Sequence, residues 1–379
     1  MSTLGLACQV ARNFAGSARL SAERRHRWED RLRAVAATYW PELGRQPDVG
    51  VESRLRPSNG GWLVRGSIGA GRERRPFWLR WCPEADPEAL LQTAEHMTWW
   101  RKHHSSLENS VADVFDHWPD ESVLVLEGAA GIPLDRRLRR VQPATHAYHE
   151  LLGAFAGAGR WLRSYRCAPI DLAHAPQSLV GSEVQRTADR QLVVNARRLL
   201  EGRIERAEEA VHALLRAGFT AARSWSARLD LDEAVRKVTT PPPAGFIHGD
   251  FKPGNVLADG NRITVIDWWT APRVSWPVQD VATFASHLWL AATPAAAGVW
   301  FAFADRYYPH GLDDDEVHIV NVLGTMLCLS NLARRASRAG RILFDAGGID
   351  AALQRLSAPR VGLGSFLMNG VVSHAADDQ

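Results

Sequence analysis

The chain has 379 residues, enough for two lobes or domains with separate cores. With 46% hydrophobic and 23% charged residues it reads as an ordinary globular protein, which excludes a disordered chain. The net charge of +3 is too small to suggest nucleic acid as a partner.

Cys8, Cys82, Cys167 and Cys328 share no paired spacing. That argues against a zinc site or disulfide framework and fits a reducing cytoplasm. No uninterrupted apolar run of membrane-spanning length appears, so no membrane span is expected. The first twenty residues lack the apolar stretch of a secretory signal and are expected to form a frayed, partly helical arm.

In chain order, Ser21 can cap a helix running to about Tyr39, with Trp28, Leu32, Val35 and Ala36 on one face. Alternating segments at 51–56, 62–66 and 76–81, separated by Ser58-Asn59-Gly60-Gly61 and Gly69-Ala70-Gly71, predict an antiparallel meander. Asp86-Pro87-Glu88 opens a helix to about His103. Strands are expected near 111–115 and at 122–127. From Gly131 the chain reads as mostly helical, over 144–165, 181–216, 277–290 and 313–339. The exception is an island from Ala244 to Trp268 with two short apolar strands, 245–247 and 263–266. The expected division is an N-terminal helical extension (1–45), a sheet-containing lobe (46–130) and a large, mainly helical lobe (131–379).

The island carries the chemistry. It reads Phe246-Ile247-His248-Gly249-Asp250-Phe251-Lys252-Pro253-Gly254-Asn255, followed by an apolar strand and Asp267. Phosphoryl transfer needs a group that orients and deprotonates an acceptor hydroxyl, and metal ions that neutralise the phosphates. Asp250 can do the first. Asn255, five residues on, can offer an amide oxygen to Mg²⁺, and Asp267 the hard anionic ligand that this ion prefers. Lys252 can direct a charge at the transferring phosphoryl group. It is one of only three lysines, with Lys102 and Lys237, among 45 basic residues. His248 is expected to brace the loop rather than to carry a proton.

These residues resemble the catalytic loop and metal-binding aspartate of the aminoglycoside phosphotransferase and choline kinase family, relatives of the protein kinases. The likeness spans roughly residues 50–290. It implies an α+β, bilobal, protein-kinase-like fold, with ATP and Mg²⁺ as cofactors and a small-molecule hydroxyl as acceptor. It also implies that Asp280 braces the second lobe, and that Glu127 and Gly128 form a hinge meeting adenine through backbone groups.

The family's phosphate-binding lysine on the third strand cannot be present, because no lysine occurs between Met1 and Arg101. Arg80 stands in its place, with Glu95 as its expected carboxylate partner and Glu88 as the weaker choice. Ser58, Asn59 and Gly60 are expected in the turn over the phosphates. The glycines of Gly66 to Gly71 are expected to serve the second hairpin turn.

An acceptor of sugar, aminoglycoside or amino-alcohol type fits this reading. Asp313 to Glu316 could attract a cationic acceptor, and Arg334, Arg335, Arg338 and Arg341 could face an anionic one, but the preferred readings are acids favoured at a helix N-terminus and a solvated helix end, and neither run fixes the substrate. The rival reading is a pseudokinase that binds nucleotide or a partner without transfer, suggested by the missing lysine and the altered phosphate loop.

Overall fold

The computed structural model describes residues 19–43, 47–58, 61–70, 73–83, 87–103, 114–168, 170, 177–188, 191–226, 235–236, 238, 241–260, 262–268, 273–311, 314–339, 346–357 and 363–368. They fall into two compact units. One lies within Met1–Ala130 plus Thr264–Ala271, the other within Gly131–Ile263 plus Pro272–Gln379. Cys8, the arm expected before residue 19, Asn59, Gly60, Lys237, Asp313 and Arg341 lie outside the described residues. Of Ser58 and Arg338, only the backbone is described.

The first unit is an antiparallel sheet with a helix on each face. Helix α1 (Ala22–Tyr39) starts where Ser21 accepts the Arg24 amide at 3.2 Å. Strands β1 (Asp48–Val51), β2 (Arg56–Ser58), β3 (Gly61–Ala70) and β4 (Glu73–Trp81) follow. After helix α2 (Pro87–His103) come β5 (Val114–Trp118) and β6 (Val123–Glu127). The strand order is β1-β3-β4-β6-β5, with β2 beside β3.

Alternation along β4 sends Phe77 and Leu79 to one face, where α1 lays Trp28, Leu32 and Ala36 into the same apolar cluster as Val64, Ile68 and Val125. Trp28 meets Trp81 edge-on with ring centres 5.9 Å apart. Helix α1, within the stretch read as a separate N-terminal extension, is therefore part of this core. Arg80 points to the other face, which Leu124, its partner on β6, shares with Leu90 and Ala94 of α2.

Strand β3 runs further than the sequence suggested. Gly66 and Gly69 lie inside it, not in the second hairpin turn. Gly66 faces Phe77 across the ladder, and a Cβ there would lie 1.9 Å from that ring. Gly66→Ala is expected to destabilise the protein by about 1–3 kcal/mol through overpacking, read as a lowered midpoint of thermal unfolding.

The second unit opens with β7 (Ile132–Pro133), α3 (Leu134–Leu138) and α4 (His146–Arg166). The expected helix over 181–216 is corrected in its first part. Strands β8 (Val184–Arg186) and β9 (Leu192–Val194) pair as a hairpin, because β-branched Val184, Val193 and Val194 suit a strand. Helix α5 (Ala196–Arg216) then begins with Asn195 accepting the Arg198 amide at 3.1 Å.

Beyond it lie β10 (Gly245–Ile247), β11 (Val256–Asp259), β12 (Arg262–Val265), β13 (Arg273–Ser275), α6 (Val278–Ala291) and α7 (Ala296–Tyr307). Helices α8 (Asp314–Ala339), α9 (Ala346–Ser357) and α10 (Leu363–Met368) complete the described chain. Strands β11 and β13 were not expected. The first pairs with β7 and the second with β10. Within α8, Asp315–Ser337 has the length and composition of a membrane span, which the sequence reading did not single out. Half of that stretch is buried inside the protein, and α8 packs on α5 and α6 as a core helix does.

Candidate active site

The catalytic-loop sequence leaves β10 inside a packed aromatic layer. Tyr165 of α4 donates its hydroxyl to the Ile247 carbonyl at 3.2 Å. Phe251 stacks between Trp161, 5.6 Å away, and Phe284, 5.3 Å away. His248 is fully buried, and its Nδ1 accepts the Asp250 amide at 3.3 Å, which suits a brace. Gly249 takes φ +82°, a left-handed conformation that glycine reaches without penalty.

That bend lets two consecutive amides face one carboxylate. Asp280, in the first turn of α6, accepts the His248 amide at 2.6 Å and the Gly249 amide at 2.8 Å. Burial pushes its carboxyl up to about 7, against the pull of these amides and that of Phe251. Asp280→Asn puts an amide donor where the loop presents donors. It is expected to cost about 1–3 kcal/mol in denaturant unfolding, through buried hydrogen-bonding groups left unmatched.

Held this way, the loop presents Asp250. Its carboxylate accepts hydrogen bonds from Lys252 Nζ and from Asn255 Nδ2, the latter at 3.1 Å. Asn255 is fixed by a short 3₁₀ turn, Pro253–Asn255, and its Nδ2 also donates to the Asp250 carbonyl at 2.9 Å. Using the amide nitrogen on Asp250 leaves the oxygen as the group a hard cation prefers. Asp250, Lys252, His248 and Asn255 thus form one hydrogen-bonded group.

In the first unit, Asp267 stands two residues past the end of β12 at φ 68°, a left-handed conformation that aspartate tolerates better than most side chains. Its Oδ1 accepts from Arg80 at 2.6 Å, and the Arg80 side chain is only 4% exposed. This corrects the expected pairing. Glu95 lies exposed on α2, about 100° around the helix from buried Ala94, and exposed Glu88 accepts from Gln92 at 3.4 Å. Asp267 is a carboxylate that meets Arg80.

Among the described residues no three carboxylate, imidazole or thiolate groups cluster as a ready metal cage. The Asp267 carboxylate and the Asn255 amide oxygen are each hard oxygen donors of the kind that Mg²⁺ prefers.

Residues 55–314, well over half of the chain, match the phosphotransferase enzyme family. The chain belongs to that family. No curated protein matches the chain. Among solved structures, a choline/ethanolamine kinase family protein from Mesorhizobium loti is similar, at 16% identity over 89% of this chain and 99% of that one, with a TM-score of 0.50. A macrolide 2′-phosphotransferase from Brachybacterium faecium shares 18% identity over 87% of this chain and 99% of that one, with a TM-score of 0.48. An aminoglycoside phosphotransferase from Streptomyces rimosus, solved with ADP and streptomycin, shares 16% over 72% and 92%, with a TM-score of 0.46. The fold of this phosphotransferase is accordingly α+β, bilobal and protein-kinase-like.

Within this phosphotransferase the expected hinge is altered in one respect. The Gly128 amide donates to the Pro76 carbonyl at 3.0 Å, so that donor is committed to the sheet and not offered to adenine. Glu127, at the end of β6, is exposed. His287 of α6 and Asn331 of α8 were not anticipated. Their mutual approach of 3.5 Å joins positions 44 residues apart. The available signal was spacing: His287 follows Asp280 by two helical turns and so shares its side of α6.

Proposed function

We propose that this phosphotransferase moves the γ-phosphoryl group of ATP to a hydroxyl of a small molecule, with Mg²⁺ as the metal. The observation that carries the reading is the Asp250 carboxylate, held by Lys252 and Asn255 on a loop clamped by Asp280. In this reading Asp250 orients the acceptor hydroxyl and takes its proton as the oxygen attacks phosphorus. Lys252, now on Asp250, places positive charge beside the transferring group. Asn255 and Asp267 are the residues that would hold Mg²⁺, which supplies charge neutralisation at the phosphates when bound. Arg80 offers a guanidinium to the α- and β-phosphates, a role its planar fork suits. Residues 46–130 then serve as the nucleotide-binding lobe and 131–379 as the catalytic and acceptor-binding lobe. Ser58, Asn59 and Gly60 remain our candidates for the phosphate turn.

The test is transfer of label from γ-labelled ATP, with Mg²⁺, to a panel of hydroxylated sugars, aminoglycosides and amino alcohols. A labelled product that vanishes on chelation supports the reading. Tight Mg-ATP binding with no transfer to any hydroxyl compound would favour the pseudokinase instead.

A further inference from the structure

Arg203 stands half-buried on α5 with a neutral partner. Its Nη2 donates at 2.5 Å to Gln279 Oε1 on α6. Gln279 is turned that way by its other end, where Nε2 donates to Ser275 Oγ at 3.0 Å and to the Trp276 carbonyl at 3.3 Å. A guanidinium withdrawn from water is ordinarily matched by a carboxylate. Arg203 makes no ion pair among the described residues.

Two more guanidinium groups converge on this point. Arg206 follows Arg203 by three positions on α5 and so shares its face. Its Nε donates to the Gly202 carbonyl at 2.7 Å, and both Nη atoms stay unpaired among the described residues. Arg273, exposed on β13 and likewise without an ion pair there, lies two positions before Ser275. Alternation sends both side chains to the same side of the strand, about 7 Å apart along it. Ser275 is thus the joint, with Gln279 one hydrogen bond away and Arg203 two.

The electrostatics agree with this geometry. Burial, then Arg206 and Arg273, press the Arg203 guanidinium down to about 10, against the pull of Asp280 and Glu183. It stays charged at neutral pH, so three positive charges meet. Both acids are engaged: Glu183 accepts the Ser275 hydroxyl, and Asp280 accepts the His248 and Gly249 amides.

We infer that Arg203, Arg206 and Arg273 form a binding site for the phosphate group of a small molecule. Guanidinium forks take phosphate oxygens in pairs, and a phosphate near its dianion balances more of this charge than one carboxylate can. The site adjoins the catalytic loop through the backbone. Arg273 pairs with Ile247, the residue before His248, and Gln279 precedes Asp280. It stands apart from the phosphotransfer reading, since neither nucleotide nor transfer enters it.

Thermal unfolding of the full chain with inorganic phosphate, glycerol 3-phosphate or acetate, at one ionic strength, tests this. Either phosphate compound is expected to raise the midpoint, and acetate to do little. The stronger of the two tells free phosphate from a phosphate monoester. In an Arg206→Ala/Arg273→Ala chain the apparent affinity should fall by about tenfold or more, the usual scale for losing charge-assisted hydrogen bonds. Both residues are exposed, so the fold should survive. Arg206→Lys/Arg273→Lys, which keeps the charge without the fork, should fall between the two.

No response to either phosphate compound, or a midpoint raised as much by acetate, would overturn the proposal. So would an equal response in the alanine double variant, the result expected if phosphate were held at Arg80 instead.

Discussion

Asp250→Asn is expected to lower transfer by about 10²–10⁴-fold, the range that a positioned acid–base group supplies, while Mg-ATP affinity stays near that of the wild type. The substitution is nearly isosteric. Asn255 Nδ2 can still donate to the side-chain oxygen and to the Asp250 carbonyl, so the loop keeps its shape. The loss is of basicity toward the acceptor and of the anion that holds Lys252. A drop in kcat/KM for the acceptor carried mainly by kcat, with unchanged calorimetric binding of Mg-ATP, is the expected pattern. Wild-type turnover in the variant would remove Asp250 from the proposed role.

For Asp267→Ala the expected loss is double, of Mg-ATP affinity and of about 3–5 kcal/mol of folding stability, the usual cost of breaking a buried ion pair by removing one partner. The Arg80 side chain is 4% exposed and that of Asp267 19%, so solvent cannot readily replace the missing carboxylate. The sign reverses when both charges go. Arg80→Leu/Asp267→Leu should be far more stable than the sum of the single losses, since an apolar pair carries no desolvation penalty. Differential scanning of the four proteins gives the coupling energy, and additive single losses would contradict a tight pair. Arg80→Lys should retain part of the ATP use that Arg80→Ala loses, because it preserves the charge if not the fork.

What the sequence disclosed followed the range of the interactions. Asp250, Lys252 and Asn255 lie within six positions on one loop, so their grouping is nearly a local property, and the left-handed need at Gly249 is written between them. The cap at Ser21 and the apolar stripe of α1 are local in the same way. Arg80 was legible as a cation on the proper face of β4, but its partner was not, because Asp267 is 187 residues away. Helical phase alone could have corrected Glu95: buried Leu90, Ala94 and Met97 mark the inner stripe of α2, and position 95 falls outside it. The hairpin before α5 was hidden by the strong helical pattern that follows it. The commitment of the Gly128 amide depends on the register of β4 against β6, which the run of apolar residues in either strand does not encode.

The place of α1 has a practical bearing on how this protein can be handled. The family match begins at residue 55, downstream of α1 and β1, yet Trp28, Leu32, Val49 and Val51 belong to the same apolar cluster as Phe77, Leu79 and Trp118. A gene trimmed to the limits of homology would express a sheet with one face stripped. Indole and phenyl surface of that kind draws chains together or attracts chaperones. The stretch that the family match covers is shorter than the one this core draws on, and a soluble fragment of this enzyme should start no later than Arg19, ahead of buried Leu20.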